Sequence, residues 1–196
     1  SNTTILKDIN SNYESIAEST MYSYLDALSK LFVIDEIPAW TPNIRSKSSI
    51  RSKNKKLFID PSIAVAALNL SPEILMQDFY TYGFLFENLC IRDLCVYSNS
   101  LGSNVSYYND RSRLESDAVL QLHDGRYALI EFKLGSMEIE KAANNLLQIK
   151  NLIINHNNGS NSKIRLPDLL IVITGGEMAY TREDGVKIIP IGCLKD

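Results

Sequence analysis

Hydrophobic and polar residues alternate with two different periods along this chain, and each period predicts a type of element. Apolar residues recur at helical spacing over three long segments, residues 21–32, 73–97 and 136–154. Short apolar runs rich in β-formers predict strands at residues 105–108, 117–122, 127–134, 169–174 and 186–191. Helix, three strands, helix and two strands in this order predict an α/β sandwich with a mixed sheet.

The first seventy residues show a different order of elements. Two short helices are predicted at residues 5–10 and 13–17, and Ser19-Thr20 is predicted to cap the longer helix over residues 21–32. A short helix, a tight turn and a longer helix are typical of a helix-turn-helix.

Two strands are predicted after these helices, at residues 33–40 and 56–59, with a polar and basic segment between them. A strand pair in this position would form the wing of a winged helix. The sequence therefore predicts a winged helix-turn-helix over residues 1–70 and, after Ser71-Pro72, a second domain over residues 71–196.

The helix predicted over residues 73–97 is apolar on almost every side, which predicts burial on several sides. Cys90 and Cys95 lie in this helix and are expected to be buried, reduced thiols. Cys193 is the third cysteine, and three such positions provide neither a disulfide framework nor a paired metal-binding spacing.

Basic residues are concentrated in one region of the chain. Hydrophobic residues make up 45% and charged residues 22% of the 196 positions, as in ordinary globular proteins, and the net charge of −3 gives no overall attraction to nucleic acid. Residues 41–60 nevertheless contain six basic side chains against one acid: Arg45, Lys47, Arg51, Lys53, Lys55 and Lys56. These residues either follow the phosphates of DNA from the wing or belong to a solvated loop.

The cellular setting follows from what the sequence lacks. No apolar run approaches the length of a membrane span, and no signal peptide is visible, so we expect a cytoplasmic protein without membrane contact. The chain begins at Ser1-Asn2 rather than at Met, which suggests a fragment of a longer protein.

Asp117 and the segment Glu131-Phe132-Lys133 carry the candidate chemistry. Residues 123–126 are predicted to form the turn between their strands, and alternation along a strand places Glu131 and Lys133 on one face. A hairpin brings Asp117 beside them. Two carboxylates can hold a divalent cation and a nearby lysine can orient a water, so the set points to metal-dependent phosphodiester hydrolysis.

Glu87 is a third candidate acid because it lies within the apolar helix. A buried carboxylate needs a partner, which is either Arg92, a capping interaction or the same divalent metal as Asp117 and Glu131. Lys133 leaves another alternative open, since it can neutralise both acids in a cluster that binds nothing. Lys141 and Gln148 are expected either to assist a phosphate or to lie on a solvated helix face.

Glu87, Asp117 and Glu131-x-Lys133, in the order helix, strand, strand, resemble the PD-(D/E)xK nuclease superfamily. The wider sequence is similar to a domain of unknown function in the C-terminal region of bacterial and archaeal AAA-type ATPases. The segments that carry this similarity are Ser19–Phe32, Val33–Trp40, Lys56–Asp60, Phe84–Asn88, Glu115–Leu120, Ile130–Lys133 and Ile188–Ile191.

The resemblance implies a winged helix joined to a restriction-endonuclease-like domain, normally preceded by an ATPase module that this chain lacks. No G-x-x-x-x-G-K run is present, so the chain is not expected to bind ATP through a P-loop. The family usually has an arginine near the end of the strand before the Asp motif, and the corresponding segment here, Tyr107–Asp110, has none. Ser116 and Ala118 stand where the family usually has larger apolar residues.

Three functions are compatible with these features. The first is a Mg²⁺- or Mn²⁺-dependent nuclease that acts on DNA, with Asp117, Glu131 and Glu87 as metal ligands and Lys133 as the fourth catalytic residue. The second is a non-catalytic module that senses nucleic acid or protein for an ATPase. The third is a structural oligomerisation domain.

Overall fold

The computed structural model describes residues 2–13, 15–42, 53–110 and 114–195. Arg45, Lys47 and Arg51 of the predicted nucleic-acid patch lie outside these ranges. The helices are α1 (Asn2–Asn12), α2 (Glu18–Lys30), α3 (Pro61–Ala67), α4 (Pro72–Leu75), α5 (Phe79–Asn99) and α6 (Ile139–Gly159). The strands are β1 (Ile34–Ile37), β2 (Lys55–Phe58), β3 (Asn104–Asn109), β4 (Glu115–Gln121), β5 (Tyr127–Lys133), β6 (Leu169–Thr174), β7 (Tyr180–Thr181) and β8 (Lys187–Pro190).

A six-stranded mixed sheet forms the centre of the molecule, in the order β3-β4-β5-β6-β8-β7. The first three strands are antiparallel, β6 and β8 run parallel to β5, and β7 pairs antiparallel with β8. The predicted mixed α/β architecture is therefore confirmed. The short strand β7 is absent from the sequence-based prediction.

Side chains alternate along the strands, so both faces of the sheet carry apolar residues. One helix covers each face. Val119 and Leu129 pack with α6 on one face, whereas Ala118, Ile130 and Phe132 pack with α5 on the other. The prediction that Ile130 and Phe132 lie opposite Glu131 and Lys133 is thus confirmed. The strands are buried on both sides, as expected for the centre of an α/β fold.

The strands β1 and β2 form a separate antiparallel pair that packs on α5. Ile37 of β1 contributes to the same apolar cluster as Phe86 and Ile91. The Asn88 side chain donates to the Phe58 carbonyl over 2.7 Å and accepts from the Phe58 amide over 2.8 Å. This hairpin was predicted, whereas its role as the wing of a winged helix stays a prediction.

The helices before this hairpin differ from the expectation. Residues 15–17 have no regular secondary structure, so the helix predicted over residues 13–17 is wrong. The helix α2 begins at Glu18 after Ala17, which makes no side-chain cap, so the capping role of Ser19-Thr20 is also wrong. The sequence favours Ser and Thr as caps, but here they fall inside the first turn.

The helix predicted over residues 73–97 is two helices. Asp78 accepts hydrogen bonds from the amide and the hydroxyl of Thr81 and starts α5 anew. Burial is also less complete than expected, because Phe84 is 55% exposed and Tyr80 is 77% exposed. Cys90 is buried as expected, but Cys95 is exposed, which corrects that prediction.

The other predicted elements hold with shifted ends. The helix expected from Ser136 begins with a single 3₁₀ turn, Ser136–Glu138, and continues as α6 to Gly159 without a side-chain cap. Within the described ranges, no helix is both long enough and apolar enough to cross a membrane.

Candidate carboxylate–lysine site

The site begins where β4 and β5 stop pairing through their main chains. Regular pairing reaches Ala118 opposite Ile130 and is then replaced by side-chain contacts. The buried Ser116 hydroxyl accepts from the Ile130 amide over 3.1 Å and lies 2.9 and 3.0 Å from the carbonyls of Ala118 and Ile130. Asp117 Oδ2 accepts from the Phe132 amide over 2.9 Å. Short polar side chains can make such local bonds to the backbone, which orients the Asp117 carboxylate along β5.

Glu131 and Lys133 lie on the same face of β5, and both meet Asp117. Lys133 Nζ lies 2.9 Å from Glu131 Oε2 and 3.8 Å from Asp117 Oδ2. The carboxylate–lysine site, as we name these three residues, is therefore assembled by the predicted hairpin. The ammonium of Lys133 contacts both acids, and the position between two carboxylates is one that a cation favours.

Asn145 of α6 holds the other side of Glu131. Its Nδ2 donates to Glu131 Oε1 over 2.5 Å and to the Glu115 carbonyl over 2.6 Å. Both oxygens of the Glu131 carboxylate thus have a partner. Asn145 was not among the predicted site residues, and its only signal in the sequence is an amide on the helix that follows the lysine motif.

Burial raises the pKa of Glu131 from 4.5 to about 7, and the Asp117 carboxylate acts in the same direction, whereas Lys133 and Asn145 oppose the change. Burial would lower the pKa of Lys133, but attraction by Glu131 and Asp117 outweighs it, so the pKa of Lys133 is raised. Glu131 is 4% exposed, so these effects arise in a largely desolvated place. A carboxyl that titrates near neutral pH can bind a metal ion or a proton.

A cleft of about 710 Å³ opens over this site between the sheet and α6. The three residues of the carboxylate–lysine site line it together with Lys141 and Gln148 of α6. Both of these side chains are exposed. They are therefore placed beside the site, where a contact with a bound phosphate is sterically open, while their role stays a prediction.

Glu87 lies on the other side of Asp117 and has a partner that was not expected. Lys55 Nζ of β2 donates to Glu87 Oε1 in an ion pair whose two side chains are both half-buried. The Arg92 guanidinium instead contacts Asp60 and Asp93. Arg92 as the partner of Glu87 is therefore wrong, and Lys55 takes that place.

Glu87 and Asp117 both line a second cavity, of about 650 Å³, between α5 and β2. The rest of its wall is mostly apolar and includes Leu25, Ile34 and Phe84. Asp117 thus lines both this cavity and the cleft beside α6, whereas Glu87 lines the first of them and Glu131 the second.

The donor set suits some metal ions better than others. Among the residues that the structure describes, no three His, Cys, Asp or Glu side chains form a group that could hold a metal ion. Mg²⁺ usually keeps several waters and binds through one or two carboxylates and substrate phosphates, so the pair Asp117 and Glu131 fits it. Glu87 as a third direct ligand stays a prediction.

The described members of the basic patch are partly neutralised. Lys55 pairs with Glu87, and Lys56 pairs with Glu36 of β1. Lys53 is exposed. Contact of these lysines with nucleic acid stays a prediction, and for two of them it would require exchange of an existing ion pair.

Comparison with known proteins gives two matches to family models. A model described as Domain of unknown function (DUF4143) matches residues 82–194, which contain the whole carboxylate–lysine site and Glu87. A second, described as Domain of unknown function (DUF8612), matches residues 1–74. Neither description names a nuclease or its motif. No curated protein and no solved structure matches the chain.

Proposed function

The chain belongs to the DUF4143 family of domains of unknown function, and we propose that it hydrolyses DNA phosphodiesters with the help of Mg²⁺ or Mn²⁺. One observation carries the proposal: two carboxylates from neighbouring strands, Asp117 and Glu131, converge on the ammonium of Lys133. The family is often found in C-terminal regions of AAA-type ATPases, so we further propose that an ATPase module controls this activity.

Each residue of the site has its own role in the proposed reaction. Asp117 and Glu131 would hold the metal ion, which would supply a Lewis acid for the phosphoryl oxygen and an activated water. Lys133 donates to the phosphate and stabilises the charge that develops on it. Asn145 holds Oε1 of Glu131 and Lys133 contacts Oε2, so a metal ion at this carboxylate would replace the Lys133 contact.

Metal binding at this site requires an ionised Glu131. Because the pKa of Glu131 is raised to about 7, part of the protein carries a proton there at neutral pH. Metal binding then releases this proton, and the affinity rises as the pH increases through 7. A bound ion adds positive charge beside Glu131 and thereby favours its ionised form.

Calorimetric Mn²⁺ titration of the wild type and of the double variant Asp117→Asn/Glu131→Gln tests the proposal. We expect the wild type to bind and the double variant to lose binding, because both donor carboxylates are replaced by amides of the same shape. Glu138→Gln, which changes an exposed carboxylate of the same cleft, is the matched control and should bind like the wild type.

Cleavage is tested with single-stranded, double-stranded and branched DNA. Lys133→Met should lower the cleavage rate by about 10²-fold while Mn²⁺ binding persists, because it removes a donor to the transition state and leaves the ligands in place. Uncut DNA in all three forms, with a wild type that binds Mn²⁺, would refute the nuclease and retain the metal site.

A second candidate function is a non-catalytic module that senses nucleic acid or protein for an ATPase. The ion pairs Glu131–Lys133 and Glu87–Lys55 favour it, since both acids already have internal cations. Binding of DNA or of a protein partner that Asp117→Ala leaves unchanged would support this function over catalysis.

A further inference from the structure

Lys55 lines the same cavity as three carboxylates. Its Nζ donates to Glu87 Oε1, and Asp117 and Glu115 line that cavity with them. Only about a third of the side chain is exposed, at 33%, and Glu87 is exposed by 24%. The ion pair is thus shielded enough from water for its charges to affect the neighbouring acids.

Asp117 consequently faces two lysines. Lys133 Nζ lies 3.8 Å from Asp117 Oδ2 on the side of the α6 cleft. Lys55 lies on the side of the α5 cavity, whose lining it shares with Asp117 and Glu87. The first lysine belongs to the family-matched region, whereas the second comes from the N-terminal hairpin.

The position of Lys55 depends on how the hairpin is attached. Asn88, one residue after Glu87 on α5, binds both the amide and the carbonyl of Phe58. This double hydrogen bond fixes β2 along α5, and alternation along β2 turns Lys55 and Lys56 to different partners. The attachment of the hairpin to α5 therefore sets the position of Lys55 beside Glu87.

We propose that Lys55 is a positioning residue of the carboxylate–lysine site, an internal cation that occupies Glu87 and weakens divalent metal binding at Asp117. The inference rests on the proposed metal-dependent function and adds a residue that limits the affinity of its metal site. A positive charge beside Asp117 repels a divalent ion, and a paired Glu87 is unavailable as a ligand, directly or through water.

Mn²⁺ calorimetry on four variants tests this role. We expect Lys55→Met to tighten Mn²⁺ binding by about tenfold, since the variant removes a charge and frees Glu87. Lys56→Met, the neighbouring lysine paired with Glu36, should bind like the wild type. Lys55→Arg keeps the charge and should also leave the affinity unchanged. Adding Glu87→Gln to Lys55→Met should abolish most of the gain.

The direction of the effect separates this role from a structural one. Loss of a lysine that only supports the fold would weaken metal binding or leave it alone, whereas loss of Lys55 is expected to strengthen it. Circular dichroism checks that each variant folds. Should Lys55→Met fail to fold, Lys55→Gln provides the same neutralisation with a polar side chain.

The outcomes distinguish this inference from the function on which it rests. Wild-type binding that Asp117→Asn/Glu131→Gln abolishes, together with unchanged affinity in folded Lys55→Met, overturns the role of Lys55 alone. Binding by Lys55→Met but not by the wild type supports it in its strongest form. Binding by none of the folded proteins overturns both the metal site and the role of Lys55.

Discussion

Ser116, Asp117 and Asn145 determine the geometry of the site at the scale of single residues. Ser116 and Asp117 replace main-chain pairing between β4 and β5 by side-chain bonds to the β5 backbone. Asn145 donates to Oε1 of Glu131 from the facing helix α6. The Ser116 contact is buried and the other two are partly buried. An unsatisfied buried partner costs about 1–3 kcal/mol. The acids are therefore held in place before any ligand binds.

Glu131 gives the protein a pH-dependent stability whose sign is opposite to that of an ordinary ion-paired acid. Below pH 4.5 the carboxyl is protonated in both the folded and the unfolded chain. Between pH 4.5 and about 7 the unfolded chain loses the proton while the folded chain keeps it, so the free energy of unfolding falls as the pH rises. Over this window the loss is on the order of 3 kcal/mol.

Glu131→Gln should remove this dependence, because an amide does not titrate. Urea unfolding at several values between pH 4.5 and 8 gives the free energy of unfolding of the wild type and of the variant. Their difference should change steadily up to about pH 7 and then level off. Glu138→Gln serves as the control on an exposed acid of the same cleft. A difference that is constant with pH would contradict the raised pKa of Glu131.

At the scale of elements, the hairpin β1–β2 and the helix α5 act as one unit. Asn88 connects them through two hydrogen bonds to Phe58, and Ile37 packs into the apolar cluster beneath α5. The ion pair of Lys55 with Glu87 extends the same contact toward the site. A change in the hairpin is thus transmitted to a residue beside Asp117.

Asn88→Ala should lower the free energy of unfolding by about 2–4 kcal/mol, because it leaves both polar groups of Phe58 without their partner. Chemical denaturation measures this loss. The control is Asn99→Ala, which truncates an exposed amide at the end of the same helix. Equal stability of the two variants would show that the hairpin is held by other contacts.

The elements that could be predicted from the sequence are those whose pattern is local. The alternation along β5 assigns Glu131 and Lys133 to one face, and the hairpin turn brings Asp117 to them. The pairing of Lys55 with Glu87 spans 32 residues and depends on how β2 docks on α5, which no periodicity specifies. For the same reason, Asn145 was missed, since its contact depends on how α6 lies across the sheet.

The errors in the predicted helices also have physical causes. The break at Asp78 was missed because only two polar residues, Gln77 and Asp78, interrupt the apolar pattern there. The exposed rings of Phe84 and Tyr80 lie edge-to-face with centroids 4.6 Å apart and cover part of each other, so hydrophobicity alone overstates their burial.

At the scale of the whole molecule, Trp40 connects the N-terminal segment to the sheet. Its ring lies 4.8 Å from that of Tyr127 and 6.2 Å from that of Tyr108, and its Nε1 donates to Gln121 over 3.1 Å. Trp40 is the single tryptophan of the chain, so its fluorescence reports on this contact.

Trp40 fluorescence and far-UV circular dichroism should change at the same urea concentration, because the tryptophan is packed against the sheet that supplies much of the regular structure. Coincident transitions indicate one cooperative unit. Asn88→Ala should shift both transitions together to lower urea. A fluorescence transition at distinctly lower urea than the dichroism would instead support an independent domain over residues 1–70.

The segment Pro38–Trp40 covers part of an edge of the central sheet. The backbone amide of Tyr107 donates to the Pro38 carbonyl over 3.0 Å, and its carbonyl accepts from the Trp40 amide over 2.6 Å. Residues 38–40 therefore lie along the outer strand β3. Open strand edges invite pairing with other chains, which leads to aggregation. A fragment trimmed to residues 82–194, which the family model matches, would lose this cover and expose the unpaired backbone groups of β3. We therefore expect such a fragment to self-associate more readily than the full chain.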